Sequence, residues 1–148
     1  MNVGLQTNDA VLKREAAGEV RWVLERMNSP EGLAPFLADT QVEHGVFYLG
    51  WRNRLLGRLL ASLPAGERLP GEISEFNSQS DELAAAFRAA PALHLDAYPG
   101  QAWPCDNVMA LASLTTRFSG STRGTPPCAR ETGNSCAADA TAGGSFMT

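Results

Sequence analysis

The stretch VFYLGWRNRLLGRLLASL, residues 46–63, constrains the fold more than any other part of the chain. Tyr48, Trp51, Leu55 and Leu59 recur at helical spacing, and Leu49, Leu56 and Leu60 run beside them as a second stripe. Only the sector carrying Arg54 and Arg58 is plainly polar, a wet face in the usual pattern. A helix over roughly 43–62 that is apolar around so much of its circumference must be packed on two sides. It needs neighbours, and the chain supplies three further helical segments.

The first covers about 9–27, with Asn8 or Asp9 placed to cap its free N–H groups and Val20, Val23, Leu24 and Met27 on one face. NSPEG at 28–32 ends it with turn chemistry, and PAGERLPG at 64–71 reads as a loop. A third helix over 72–90 presents Phe76, Leu83 and Phe87 and stops before Pro91. The fourth, over 104–117, opens at Pro104 and carries Val108, Leu111, Ala112 and Leu114. No segment reads as a strand. Long helices joined by short Pro/Gly loops form antiparallel αα-hairpins, so the predicted class is all-α: a bundle, a solenoid or an α/α toroid. No repeat of fixed period is visible, which disfavours the solenoid.

A chain of 148 residues suffices for one cored domain, which we place at 1–118. In the remainder, 119–148, nineteen of thirty residues are Gly, Ser, Thr or Ala, and Phe146 and Met147 are the only large apolar ones. Such a segment buries too little to offset its ordering entropy, and it is expected to be disordered. Twelve basic residues face sixteen acidic ones, a net charge of −4 without a basic cluster, which argues against a nucleic-acid surface. No run approaches the roughly 18 apolar residues a membrane span requires. The N-terminal residues lack the pattern of a signal peptide, so a cytoplasmic location is the default expectation. Cys105, Cys128 and Cys136 form no CxxC pair and lie far along the chain from His44 and His94. That spacing argues against structural zinc and for reduced thiols.

Chemistry concentrates in AYPGQAWPCDNVMALASL, residues 97–114. YPGQ at 98–101 fits a type II turn, with Gly100 supplying positive φ. Pro104 suits a first helical position, which puts Cys105 in the first turn, where free N–H groups favour a thiolate. Asp106 opposes that, being a second negative charge next door. The alternative is a small buried thiol packed under Trp103. A Cys–His pair would require His44 or His94 to approach in space, although each reads more simply as a solvated or capping residue. Asp96 and Asp106 lie ten apart around the turn and could face one another across a cavity as an acid/base pair. Tyr48 and Trp51 share a stripe and belong either to the core or to a pocket wall.

Residues 20–114 resemble the central part of the linalool dehydratase/isomerase-like family, through VFYLGWRNRLLGRLLASL at 46–63 and PALHLDAYPGQAWPCDNVMALASL at 91–114. Tyr48 and Gly50 match a Tyr-x-Gly helix; Pro99, Cys105 and the run from Leu111 to Leu114 match a turn, an active-site cysteine and an apolar helix. The resemblance implies an incomplete α/α barrel and cofactor-free acid–base chemistry, as a lyase or isomerase, on a small apolar alcohol. It makes Cys105 the candidate catalytic residue, with Asp106 and Asp96 as weaker ones, and Tyr48, Trp51 and Trp103 as substrate-pocket residues. The departures are specific. Trp51 stands where the family has an active-site histidine, LDAY at 95–98 stands where it has another cysteine, and its upstream catalytic Asp and Tyr have no counterpart. The tail has the composition of GC-rich DNA read out of register, and one alternative frame continues as an amphipathic helix like the family's next segment.

Three functions of different class follow. The chain is a piece of a barrel enzyme with Trp103, Cys105 and Asp106 at the cavity mouth, inactive alone for want of partners. Or it is a small helical ligand-binding or interaction module, whose exposed helix faces could also pair copies. Or it is a truncated product without activity.

Overall fold

A computed structural model describes residues 8–36, 39–92, 94–116, 118 and 120–121. They form five α-helices: α1 Ala10–Met27, α2 Pro30–Leu33, α3 Gly45–Ser62, α4 Pro70–Ala89 and α5 Pro104–Ser113. Single 3₁₀ turns at Ala34–Phe36 and Ala65–Glu67 join them, and no strand occurs among the described residues. The all-α class expected from periodicity is the one found. The bulk of the tail, 122–148, lies outside the described residues.

Helix ends follow local chemistry. Asp9 caps α1, its Oδ1 accepting from the N–H groups of Val11 at 2.8 Å and Leu12 at 3.3 Å. NSPEG does more than turn the chain: Ser29 Oγ accepts from Gly32 N at 3.1 Å and Pro30 takes the first helical position, so a further helical turn forms there. Pro70 likewise starts α4 two residues earlier than expected. Helix α3 starts later, at Gly45, because His44 and Gly45 both take positive φ, 63° and 81°. A Cβ on Gly45 would sit 2.3 Å from the Ala97 carbonyl oxygen, so only glycine fits that crossing. Helix α5 ends at Ser113 rather than 117, where the hydroxyls of Ser113 and Thr115 bond back to the carbonyls of Ala110 and Ala112.

Helix α3 is central. Helix α1 runs antiparallel to it, with Val20 and Leu24 meeting Leu56, Leu59 and Leu60 in one apolar cluster. Helix α4 is also antiparallel, pairing Gly57 with Phe76, Asn53 with Ser80 and Arg52 with Glu75. Helix α5 lies parallel to α3, in register from Gly50–Ala110 through Asn53–Ser113 to Gly57–Thr116. Gly50 permits the close approach: a Cβ there would stand 2.8 Å from the Ala110 Cβ. Three neighbours, not two, account for the nearly all-round apolar character.

A polar layer divides the core. Ser80 donates to Asn53 Oδ1 at 3.0 Å and Asn53 donates to Ser113 Oγ at 2.9 Å, all three side chains being buried. A second apolar cluster then gathers Val46, Leu49, Leu83, Phe87, Leu95 and Ala110. The 94–103 segment is tied to α5 by Asn107, which accepts from Leu95 N at 2.7 Å and donates to the carbonyls of Leu95 and Trp103 at 3.0 and 2.9 Å. At the start of α3, Phe36 packs on Phe47, Tyr48 and Tyr98, with ring centroids 5.3–5.8 Å apart.

Candidate functional site

Helices α1 and α4 both pack on α3, and a trough of about 720 Å³ opens over the N-terminal half of α3, between α4 and the segment that follows α1. Its floor is Tyr48, Leu49 and Arg52, which share one sector of α3 over little more than a turn. One wall is α4, presenting Gly71, Ser74, Glu75, Ser78, Gln79 and Glu82. Those positions fall at i, i+3, i+4, i+7, i+8 and i+11, a complete helix face made of polar or minimal side chains. Asn28 and Leu33 form the other wall, and Glu43 and His44 close one end. Arg21 of α1 bonds Glu72 of α4, Nε to Oε1 at 2.6 Å and Nη2 to Oε2 at 3.2 Å, a bidentate clasp between those two helices.

The floor holds a buried charge. Arg52 is 6 % exposed and its guanidinium pairs with Glu75, whose Oε1 also accepts from Gln79 Nε2 at 3.0 Å. Burial pulls the Arg52 pKa down from its ordinary value, opposed by the neighbouring Tyr48 hydroxyl. Tyr48 is 3 % exposed, its hydroxyl 3.1 Å from the Met27 carbonyl and 2.9 Å from Asn28 Oδ1, so its proton is shared between two acceptors. Burial raises the Tyr48 pKa above 10 despite the opposing Arg52 charge, so the phenol stays protonated at neutral pH. His44 turns Nδ1 to the Phe36 carbonyl at 2.9 Å, lays its ring edge-on to Tyr48 and holds Nε2 3.6 Å from Glu43. Two buried atoms have no hydrogen-bond partner among the described residues here: Arg52 Nε, a donor, and Gln79 Oε1, an acceptor.

The residues singled out from sequence scatter around this trough. Tyr48 lines it. Trp51 is 39 % exposed: at about 100° per residue it falls beside Arg58, away from the Tyr48–Leu55–Leu59 stripe. Trp103 is 52 % exposed at the N-cap of α5. Cys105 is exposed in the first turn, not buried under Trp103, and its thiol lies 3.5 Å from Asp106 Oδ1, to which it donates. Asp96 Oδ2 accepts from Gly100 N at 2.9 Å and so braces the turn at 98–101, where Gly100 has φ 71° as expected. Each of the two aspartates thus has a local partner. Trp103, Cys105, Val108 and Leu111 instead form an exposed outer face of α5, distinct from the trough.

Sequence reasoning missed Arg52, Glu75 and Gln79. The available signal was the uninterrupted polar face of α4, which periodicity alone equates with a solvated surface. Among the described residues no group of three or more His, Cys, Asp or Glu could hold a metal ion, and no helix is long and apolar enough to cross a membrane. Comparison with known protein families, curated proteins and solved structures yields no match to this chain, so its function has to be argued from the chemistry of the trough.

Proposed function

We propose that the chain is a small helical binding module that takes a polar small molecule in the trough and carries out no catalysis on it. The observation that supports this is the wall of α4. A helix face that packs on a neighbour ordinarily contributes apolar side chains to a core. Here six consecutive face positions, from Gly71 to Glu82, are polar or glycine and line an open volume large enough for a ligand. The groups present bind and orient. Tyr48 keeps its proton, and Arg52 is committed to Glu75.

Reading the chain instead as part of a barrel lyase or isomerase would call for an apolar cavity with Cys105 at its edge. The trough mixes polar and apolar surface, its α4 wall being polar, and Cys105 does not line it. The test is a nitrogen-15 correlation spectrum of the full chain, titrated with mixtures of polar metabolites. Saturable shifts clustered on the amides of Tyr48, Arg52, Ser78 and Gln79 are expected. Shifts confined to the outer face of α5, or turnover of an acyclic terpene alcohol that is lost in Cys105→Ala, would overturn the proposal.

A further inference from the structure

The polar atoms of the trough floor select a ligand chemistry, and this step rests on the binding function proposed above. Glu75 Oε1 is shared by Arg52 and Gln79, each through one nitrogen. Of the remaining polar atoms of those two side chains, Arg52 Nε and Gln79 Oε1 are left without partners. Both residues are more than nine-tenths buried, at 6 % and 8 % exposure, and both line the trough. Buried polar atoms are rarely left unpaired, and one orphaned donor with one orphaned acceptor, on two residues that share the same Glu75 oxygen, is a specific deficit.

The deficit discriminates among functional groups. An ammonium offers donors alone and would serve only Gln79. A carboxylate or phosphate offers acceptors alone, would serve only Arg52, and would meet the carboxylates of Glu43, Glu75 and Glu82 in the same trough. A hydroxyl accepts and donates at once and satisfies both atoms. Farther along the wall, Ser74 and Ser78 present two more hydroxyls one helical turn apart, about 6 Å along the axis, suited to a ligand carrying several such groups. Leu33, Leu49 and the Tyr48 ring offer apolar contact for a carbon skeleton. We infer that the trough binds a neutral polyhydroxylated molecule, a polyol or sugar, with one hydroxyl bridging Arg52 Nε and Gln79 Oε1. Both atoms are closed to bulk solvent, so binding requires the Gln79 side chain to turn and carry its Oε1 into the trough, where the hydroxyl donates to it and accepts from the uncovered Arg52 Nε.

The test titrates the full chain with glucose, myo-inositol and mannitol, and with gluconate, glucose 6-phosphate, glucosamine and an acyclic monoterpene alcohol, reading amide shifts at the trough. A neutral polyol is expected to saturate there and to bind at least tenfold more tightly than its charged analogues. Gln79→Met, near-isosteric and without the acceptor, is expected to weaken it about tenfold while the spectrum outside the trough is unchanged. Ser78→Ala, at an exposed position where folding is not at issue, weakens it a few-fold. If an acid, an amine or the terpene alcohol saturates the trough more tightly, the ligand class is overturned while the binding function stands. If nothing saturates it, or the trough holds only water, both are overturned.

Discussion

Replacing Asn107 by alanine tests whether one side chain holds the 94–103 segment on the bundle. The Asn107 amide uses its acceptor and both donor positions within that segment, on Leu95 N, Leu95 O and Trp103 O. Trp103 O keeps the backbone N–H groups of Asp106 and Asn107 as partners, at 3.2 Å each, so its loss is small. Leu95 is 1 % exposed, and without the amide its N–H and C=O lose these bonds where water does not reach them. Each orphaned group costs about 1–3 kcal/mol, so with partial relaxation the variant should lose about 2–4 kcal/mol. At about 4 °C per kcal/mol for a domain of this size, that lowers Tm by roughly 8–16 °C. Asn107→Asp keeps the acceptor for Leu95 N but turns a carboxylate toward two carbonyls, and it should cost at least as much. Val108→Ala, next door and 64 % exposed, is the control and should stay within about 0.5 kcal/mol. Urea unfolding followed by circular dichroism supplies the free energies, and hydrogen exchange supplies the Leu95 amide protection. A loss below about 1 kcal/mol, or unchanged protection at Leu95, would refute the reasoning.

Four further outcomes are expected. Glu75→Gln leaves the Arg52 charge buried without its counter-ion and should cost about 2 kcal/mol or more, whereas Arg52→Met removes the charge with the pair and should cost clearly less in the same urea assay. Gly50→Ala drives a Cβ to 2.8 Å from that of Ala110 and should lose about 1–3 kcal/mol, partly recovered in the double variant with Ala110→Gly. In Tyr98→Phe, which leaves Tyr48 as the single tyrosine, phenolate absorbance should rise with a midpoint above 10. The sign follows from linkage: below pH 10 both folded and unfolded chains hold the proton, and above it the unfolded chain releases it first, so stability falls as pH rises past 10. Cys105 should be alkylated without denaturant, since it is exposed, and labelling only after unfolding would contradict its placement.

The helices were legible because their signals are local. Pro104 at the first position, Gly100 with positive φ and the Tyr48–Leu55–Leu59 stripe each act within a turn or two of chain. Start and stop positions moved where a second local signal competed. Ser29 with Pro30 made a helical turn out of an expected loop, and paired positive φ values at His44 and Gly45 delayed α3. Trp51 was grouped with Tyr48 by spacing, yet an extra 60° of rotation sends it to the surface beside Arg58.

The trough was illegible for a different reason. Arg52 and Asn53 are adjacent in sequence and both buried, but about 100° of helix rotation sends them to different surroundings. Asn53 meets Ser80 and Ser113, and every bond in that layer closes. Arg52 meets Glu75 and Gln79, where one carboxylate oxygen must serve two donors and two atoms are left over. No pattern within α3 separates these cases, since each is a polar residue amid leucines. The difference arises on α4, where Gln79 and Ser80 are themselves adjacent and point about 100° apart. A sealed polar layer fixes the register of three helices and binds nothing. An unsealed one, lining a trough, keeps hydrogen-bonding capacity in reserve, and that reserve is why we propose the trough, rather than the exposed thiol of Cys105, as the ligand site.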